Sequence, residues 1–251
     1  MTNGILSSTL SAIYSNGFSR LDVYEKLIGK AFSSTNIPFE EPWYGQLYSE
    51  KAKDLKWLAS SLIINAEKEA EGARQLWKMA NKVNNNRWSN LIRQHAIDEA
   101  RHAKIYLRLF ELIFPGSADN DLQNYFATLA PKYSMNEIDK GNIDQSLMLD
   151  EDQLIDQIIQ INIGEIRTRA NQLLLEKALK YCCTEESRSK VEYLLKSVIT
   201  DETRHIHYTA VLLEELITNA NANRVTNIAI FRMNQFCQLT LEETGKGCFD
   251  Q

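Results

Sequence analysis

The pattern Asp-Glu-x-Arg-His occurs twice in this chain, at 98–102 and at 201–205. Each copy lies in the middle of a long stretch whose apolar residues recur with the period of an α-helix. At about 100° of rotation per residue, Glu99 lies at the centre of one apolar stripe and Glu202 at the centre of the other. A buried carboxylate is costly unless something compensates its charge. The chain therefore has to fold so that both acids meet a compensating group.

The rest of the sequence is typical of an all-α protein. Only 10 of the 251 residues are Gly and 4 are Pro, and no segment alternates polar and apolar residues long enough to indicate a strand. Four long helices are predicted, over about 47–83, 87–114, 151–182 and from Thr184 to about 219. Shorter helices are predicted in 5–33 with a break at Gly17, over 119–130 and over 222–243, with a loop around Gly141.

Four long helices with short and long connections are typical of a helical bundle. We therefore expect one domain over 1–251, with a four-helix core over about 47–219 and extra helices at both ends. This arrangement would bring the acidic faces of the four long helices to one core.

The other two long helices also carry acids on their apolar faces. Glu165 shares its stripe with Leu154, Ile158, Ile161 and Leu179. In the first long helix, Glu69 lies about 50° from the centre of the stripe, whereas Glu67 and Glu71 lie beyond about 100°. Glu69 is therefore the predicted inward acid of this helix, with Glu67 in reserve.

Four inward carboxylates need positive charge between them. A buried network of salt bridges is one alternative, but Arg169 is almost the only inward basic residue nearby. A pair of metal ions is the alternative we favour, and oxygen-rich ligation with one His per metal suits iron or manganese better than structural zinc. The predicted ligands are Glu69, Glu99, His102, Glu165, Glu202 and His205.

This set resembles that of the ferritin-like di-iron carboxylate proteins, which use one Glu from each of two helices and Glu-x-x-His from each of the other two. The longer forms DEARH and DETRH are similar to the motif of bacterial multicomponent monooxygenase hydroxylases. By this resemblance, Asp98 and Asp201 would hold the ring N–H groups of the ligand histidines, and Arg101 and Arg204 would anchor the two aspartates.

The resemblance implies a ferritin-like fold and a pair of iron ions, Fe²⁺ or Fe³⁺, with manganese or a mixed Mn/Fe pair as alternatives. It implies a monooxygenase that uses O₂ to oxidise, most simply to hydroxylate, a small or medium organic substrate. An electron donor such as a ferredoxin or a flavin reductase would supply the electrons. The alternatives are an N-oxygenase of amines, a ferroxidase or other iron-handling protein, and a metal-free helical interaction protein.

Three further inward residues have two interpretations each. In ribonucleotide reductase small subunits a radical tyrosine occupies the place that matches Tyr106, but an inward tyrosine is also ordinary packing. His95, four residues before Glu99, is a reserve metal ligand or a hydrogen-bond donor behind the ligands. Thr168 could hold or deliver a proton, or bond back to a helix carbonyl. Small side chains predicted to leave space beside the acids are those of Ala66, Ala70, Ala73, Ala103 and Gly164.

Charge, hydropathy and cysteine spacing argue against several other classes of protein. The net charge of −5 and the lack of a basic run give no reason to expect nucleic acid as a partner. No apolar run is long enough to span a membrane. The spacing of Cys182, Cys183, Cys237 and Cys248 fits neither a zinc site nor a disulfide framework, which favours reduced thiols in a cytoplasm. The amphipathic terminal helices leave a homodimer possible.

Overall fold

A computed structural model describes residues 4–15, 17, 19–135 and 148–245. Within these residues the protein is all-α and contains no strand, as predicted. The helices are α1 (Ile5–Ser15), α2 (Asp22–Ser33), α3 (Pro42–Lys51), α4 (Leu55–Ala80), α5 (Asn86–Ile113), α6 (Asn120–Thr128), α7 (Glu151–Cys182), α8 (Glu185–Leu216) and α9 (Ala222–Thr244), with a 3-10 turn at Pro38–Glu40. None of these helices combines the length and hydropathy needed to cross a membrane.

Local signals explain most helix boundaries. The side chain of Asn85 caps α5 by accepting a hydrogen bond from the backbone N–H of Trp88, at 3.1 Å. The Thr184 hydroxyl accepts from the backbone N–H of Ser187, at 3.3 Å, at the start of α8. Gly17 and Gly116 adopt positive φ angles of 81° and 74° just after α1 and α5, a conformation that glycine adopts without steric cost. The predicted breaks at these places are confirmed.

The predicted helix over 47–83 is wrong at its N-terminal end. Residues 42–51 form the separate helix α3, and α4 begins only at Leu55. Asp54 caps α4 by accepting from the backbone N–H of Lys56, at 2.9 Å. No Gly or Pro marks this break, and the apolar period continues across it in the sequence. The break was therefore not predicted. The predicted loop around Gly141 lies outside the described residues.

The chain divides into two compact units. The first unit is Met1–Tyr48, Asp150–Leu174 and Ile199–Gln251, and the second unit is Ser49–Leu149 and Leu175–Val198. The single domain over 1–251, with its ferritin-like core, stays a prediction.

In the first unit, α2 packs against α9, and polar contacts join the other helices. The carboxylate of Glu214 in α8 accepts from the backbone N–H of Tyr24 at the start of α2, at 2.7 Å. The fully buried Tyr24 hydroxyl donates to Asn162 in α7, at 3.0 Å, and Asn162 in turn donates to the carbonyl of Ile206, at 3.1 Å. These bonds hold α7 and α8 in register within the first unit.

In the second unit, α4 and α5 pack along one another. The Ser89 hydroxyl donates to the carbonyl of Ala80 at 2.7 Å, which ties the start of α5 to the end of α4. Near the same end of α4, the ring of Trp77 stacks on that of Tyr133 with a centroid separation of 4.6 Å. The α4–α5 pair is thus the frame that positions the acids of this unit.

Candidate metal-binding site

The second unit holds four buried side chains that could ligate a metal ion. We call Glu69, Glu99, His102 and His95 the α5 group. A ligand atom from each of Glu69, Glu99 and His102 lies within 4.8 Å of the others. His102 Nδ1 is 3.3 Å from Glu99 Oε1 and 3.9 Å from Glu69 Oε2. His95 Nε2 lies 3.3 Å from the same Glu99 oxygen.

Helix geometry explains why these side chains converge. His95, Glu99 and His102 follow one another at intervals of four and three residues, so they share one face of α5. Glu69 reaches them from α4, and the exposed fractions are 7% for both acids and 0% for His102. The prediction that Glu69, rather than Glu67, faces inward is confirmed. The Glu67 carboxylate instead accepts a hydrogen bond from the hydroxyl of Tyr125.

Burial and close contact shift the pKa values of the two acids of the α5 group in opposite directions. Burial, and then the charge of Glu99, raise the pKa of Glu69 well above its ordinary value. Burial also acts to raise the pKa of Glu99, but the close approach of Glu69, His102 and His95 lowers it well below that value. Glu69 is therefore the acid of the pair that binds a proton more readily, and a metal ion would have to compete with that proton.

The first unit holds a second group. We call Glu165, Glu202 and His205 the α8 group. His205 Nδ1 lies 3.5 Å from Glu202 Oε2 and 3.8 Å from Glu165 Oε2. Glu202 is 0% exposed and His205 is 1% exposed, so the predicted inward direction of both is confirmed. The α8 group repeats the glutamate pair and imidazole of the α5 group.

Arginines anchor the two aspartates of the repeated motif. Arg101 donates to Asp98 at 3.0 Å, and Arg204 donates to Asp201 at 2.8 Å. Both aspartates are buried, whereas the two arginines reach them from the outer face. These contacts agree with the anchoring role that the resemblance assigns to the arginines. That the aspartates hold the ligand histidines stays a prediction.

Two residues beside the acids were missed by sequence reasoning. A Cβ placed on Gly72 would lie 3.6 Å from Glu99 Oε2, so this glycine lies against the carboxylate. Gln172, 2% exposed, donates from Nε2 to Glu202 Oε1 at 2.9 Å. The available signal was spacing, because Gly72 lies three residues after Glu69 and Gln172 lies seven after Glu165, both on the ligand face.

Two secondary predictions need correction. Gly164 does not leave space beside the acids, because a Cβ there would meet the ring of Phe236 in α9 at 3.4 Å. The bond of Thr168 back to a helix carbonyl is also wrong, since within the described residues its half-buried hydroxyl makes no hydrogen bond. Tyr106 is inward, as predicted, and is 2% exposed.

The described cysteines agree with the expected thiol state. Cys182, Cys183 and Cys237 are free thiols. Cys248 lies outside the described residues.

Comparisons with family models, with curated proteins and with solved structures found no match for this chain. The buried Glu and His side chains, which could hold metal ions, are therefore the evidence that bears on function.

The raised pKa of Glu69 leads to a prediction about pH. Mn²⁺ affinity of the α5 group should rise with pH until the pH passes the raised pKa of Glu69, because binding displaces the proton of Glu69. About one proton should be released per ion bound at this group. Mn²⁺ titrations at several pH values, with proton release followed in weak buffer, test this. The Glu69→Gln variant should lose this proton release, and an affinity independent of pH would contradict the assignment.

Gly72 provides a graded test of the same group. Gly72→Ala adds a methyl group at ordinary contact distance, so metal binding should be unchanged, and helix propensity should add about 1 kcal/mol of stability. Gly72→Val adds two more carbons beside the Glu99 carboxylate and should weaken Mn²⁺ binding about tenfold, or about 1.4 kcal/mol. Isothermal titration of both variants measures this. Equal affinities for the two would mean that Glu99 is not a ligand.

Proposed function

We propose that this protein is a non-haem di-iron oxygenase that oxidises, by hydroxylation in the simplest case, a small or medium organic substrate. The observation that carries the proposal is the repeated arrangement of two glutamates close to one buried imidazole, once in each unit, with Glu165 half-buried and the other three glutamates buried. A donor set of carboxylate oxygens with one imidazole suits iron or manganese rather than structural zinc. The compartment expected for such an enzyme with free thiols is the cytoplasm.

The residues present fit metal ions on chemical grounds. Burial and the neighbouring Glu99 raise the pKa of Glu69, so a divalent cation that binds here would replace a proton on this carboxyl group. We propose that Glu69, Glu99 and His102 hold one ion and that Glu165, Glu202 and His205 hold the other. That the ions act as a pair is taken from the family resemblance. When bound and reduced, two irons supply O₂ with two electrons and make it able to attack a C–H or N–H bond.

The chain itself would orient the ligands and exclude water. Arg101 and Arg204 hold Asp98 and Asp201 in place, and the aspartates would in turn fix the ring orientation of the ligand histidines. The fully buried side chains that keep water away from the α5 group include Ala66, Ala70, Ala73 and Ala103.

Two hydroxyl groups are candidates for proton handling. Thr168 lies one turn after Glu165, and no hydrogen bond within the described residues occupies its hydroxyl. We propose that it holds or delivers a proton during turnover. Tyr106 lies one turn after His102 on the inner face of α5 and is 2% exposed, and we propose it as the second candidate, for a hydrogen-bonding or a radical role.

His95 favours a second candidate function, an N-oxygenase of amines. In arylamine N-oxygenases, which this chain resembles in its motif, an additional histidine at this offset lies on the fourth long helix, where this chain has Val198, so His95 offers the histidine from α5 instead. His95 Nε2 lies 3.3 Å from Glu99 Oε1, and the residue is 1% exposed. If His95 is a ligand, His95→Ala should weaken Fe²⁺ binding by about 10- to 100-fold. If His95 only supports Glu99, the His95→Gln variant should restore binding.

Anaerobic iron loading followed by O₂ tests the proposal. The chain should bind about two Fe²⁺, keep both after oxidation, and accept electrons from a reductase again over repeated cycles. With ¹⁸O₂ and a panel of small organic compounds, labelled oxygen should appear in a product. Accumulation of many Fe³⁺ ions per chain would support a ferroxidase instead, and failure to bind iron would overturn the proposal.

A further inference from the structure

Arg169 is a buried cation for which the described structure offers no anion. It lies in α7 one turn after Glu165 and is 8% exposed. Its one hydrogen bond within the described residues runs from Nη1 to the hydroxyl of Thr9 in α1, at 3.4 Å, and its Nε has no partner there. Sequence reasoning left open that Arg169 neutralises the inward acids, but no carboxylate of the described residues forms an ion pair with it.

Other arginines of the same unit behave differently. Arg167, two residues earlier, donates to Thr240 at 2.9 Å and pairs with Glu243. Arg232 forms an ion pair with Asp156. A buried guanidinium without such a partner is costly, because its hydration is lost without electrostatic compensation. Burial alone lowers the pKa of Arg169, and no neighbouring charge opposes this effect.

A second buried polar group lies beside it. Gln172 follows Arg169 by three residues, so the two share one face of α7. The Nε2 of Gln172 donates a hydrogen bond to Glu202. The Oε1 of Gln172 is buried and has no hydrogen-bond partner in the described part of the chain. The Thr9 hydroxyl is fully buried, and it donates no hydrogen bond among the described residues. The cation and the acceptor thus lie on the face of α7 that carries Glu165, and the Thr9 hydroxyl lies within 3.4 Å of the cation.

We propose that Arg169 binds a carboxylate group of the organic substrate, with the Thr9 hydroxyl as an additional donor. This inference rests on the proposed function, because it places the substrate anchor next to Glu165 and Glu202. A planar guanidinium offers two parallel N–H donors to a carboxylate. One buried positive charge balances one carboxylate, whereas a phosphate dianion would keep an excess negative charge beside the glutamates. The substrate class is therefore carboxylic acids.

Binding of model carboxylates tests the inference on the full chain, as purified and after chelator treatment. Benzoate and hexanoate are the probes, and benzamide and inorganic phosphate are the matched comparisons. At least one carboxylate should bind saturably, and Arg169→Gln should weaken it by about tenfold or more. The exposed Arg188→Gln serves as the control and should bind as the parent does. Absence of carboxylate binding, equal binding by Arg169→Gln, or phosphate binding as tight as that of the carboxylates would overturn the inference.

Thermal stability separates a binding role from a structural one. Without ligand, Arg169→Met should melt at the same temperature as the parent or about 2–4 °C higher, because it removes an uncompensated charge. A clearly lower melting temperature would mean that Arg169 is a structural cation, which overturns the inference. Carboxylate binding without iron binding would refute the proposed function alone. Iron binding without carboxylate binding would refute this inference alone.

Discussion

Replacing Glu99 by alanine is expected to abolish metal binding at the α5 group while leaving the protein helical. Glu99 is the charged member of this group, and its Oε1 lies 3.3 Å from both His95 Nε2 and His102 Nδ1. Without it, the group keeps only the carboxyl group of Glu69 and the imidazoles of His102 and His95. A single carboxyl group that readily holds a proton is too weak a ligand to retain the ion. Glu69 can keep its proton, so the variant leaves no unpaired charge and the fold should survive.

Metal content after anaerobic Fe²⁺ loading and desalting measures this effect, and circular dichroism checks the helices. The parent should hold about two ions per chain and Glu99→Ala none or one. The matched control is Glu71→Ala, since Glu71 lies on the exposed face of the neighbouring helix and pairs with Arg74 at 3.0 Å. A Glu99→Ala protein that still held two irons would show that the ligands are assigned wrongly. Loss of iron in Glu67→Ala would instead favour the reserve ligand.

Metal binding is expected to raise the melting temperature strongly. An ion that binds only the folded chain stabilises it by about 4 kcal/mol at a thousand times its dissociation constant. For a chain of this size, about 1 kcal/mol shifts the melting temperature by about 2–4 °C, so one site should add on the order of 10 °C. The effect should be large because folding brings carboxylates close together, and bound metal ions remove the repulsion between them.

Differential scanning calorimetry with Mn²⁺ in air, and with Fe²⁺ under anaerobic conditions, measures the shift. Glu71→Ala should show the full shift. Glu99→Ala and Glu202→Ala each remove a ligand from one group and should lose at least half of it. Should all three variants respond like the parent, the ions bind elsewhere, and the buried glutamates and histidines are a metal-free polar core.

The helices and the direction of the acids could be predicted because both depend on local periodicity. The bounds of α5 follow from its apolar period and from Asn85 and Pro115, which flank it in the sequence. The same period places Glu99 and Glu202 on buried faces without knowledge of any other helix. The apolar period did not predict the break between α3 and α4, because Asp54 caps α4 at a place where no Gly or Pro marks the end of a helix.

Contacts between distant segments could not be predicted, because periodicity states which face is buried and not what covers it. Only the tertiary structure reveals that Gly72 lies against Glu99, that Gln172 donates to Glu202, and that Phe236 fills the space beside Gly164. The most consequential case is Arg169. The sequence alone left open that Arg169 neutralises the inward acids. In the folded chain its guanidinium reaches Thr9 and forms no ion pair with a carboxylate of the described residues. The sequence by itself determined an all-α chain with buried acids, and the tertiary structure decided their neighbours, because those contacts join residues far apart in the chain.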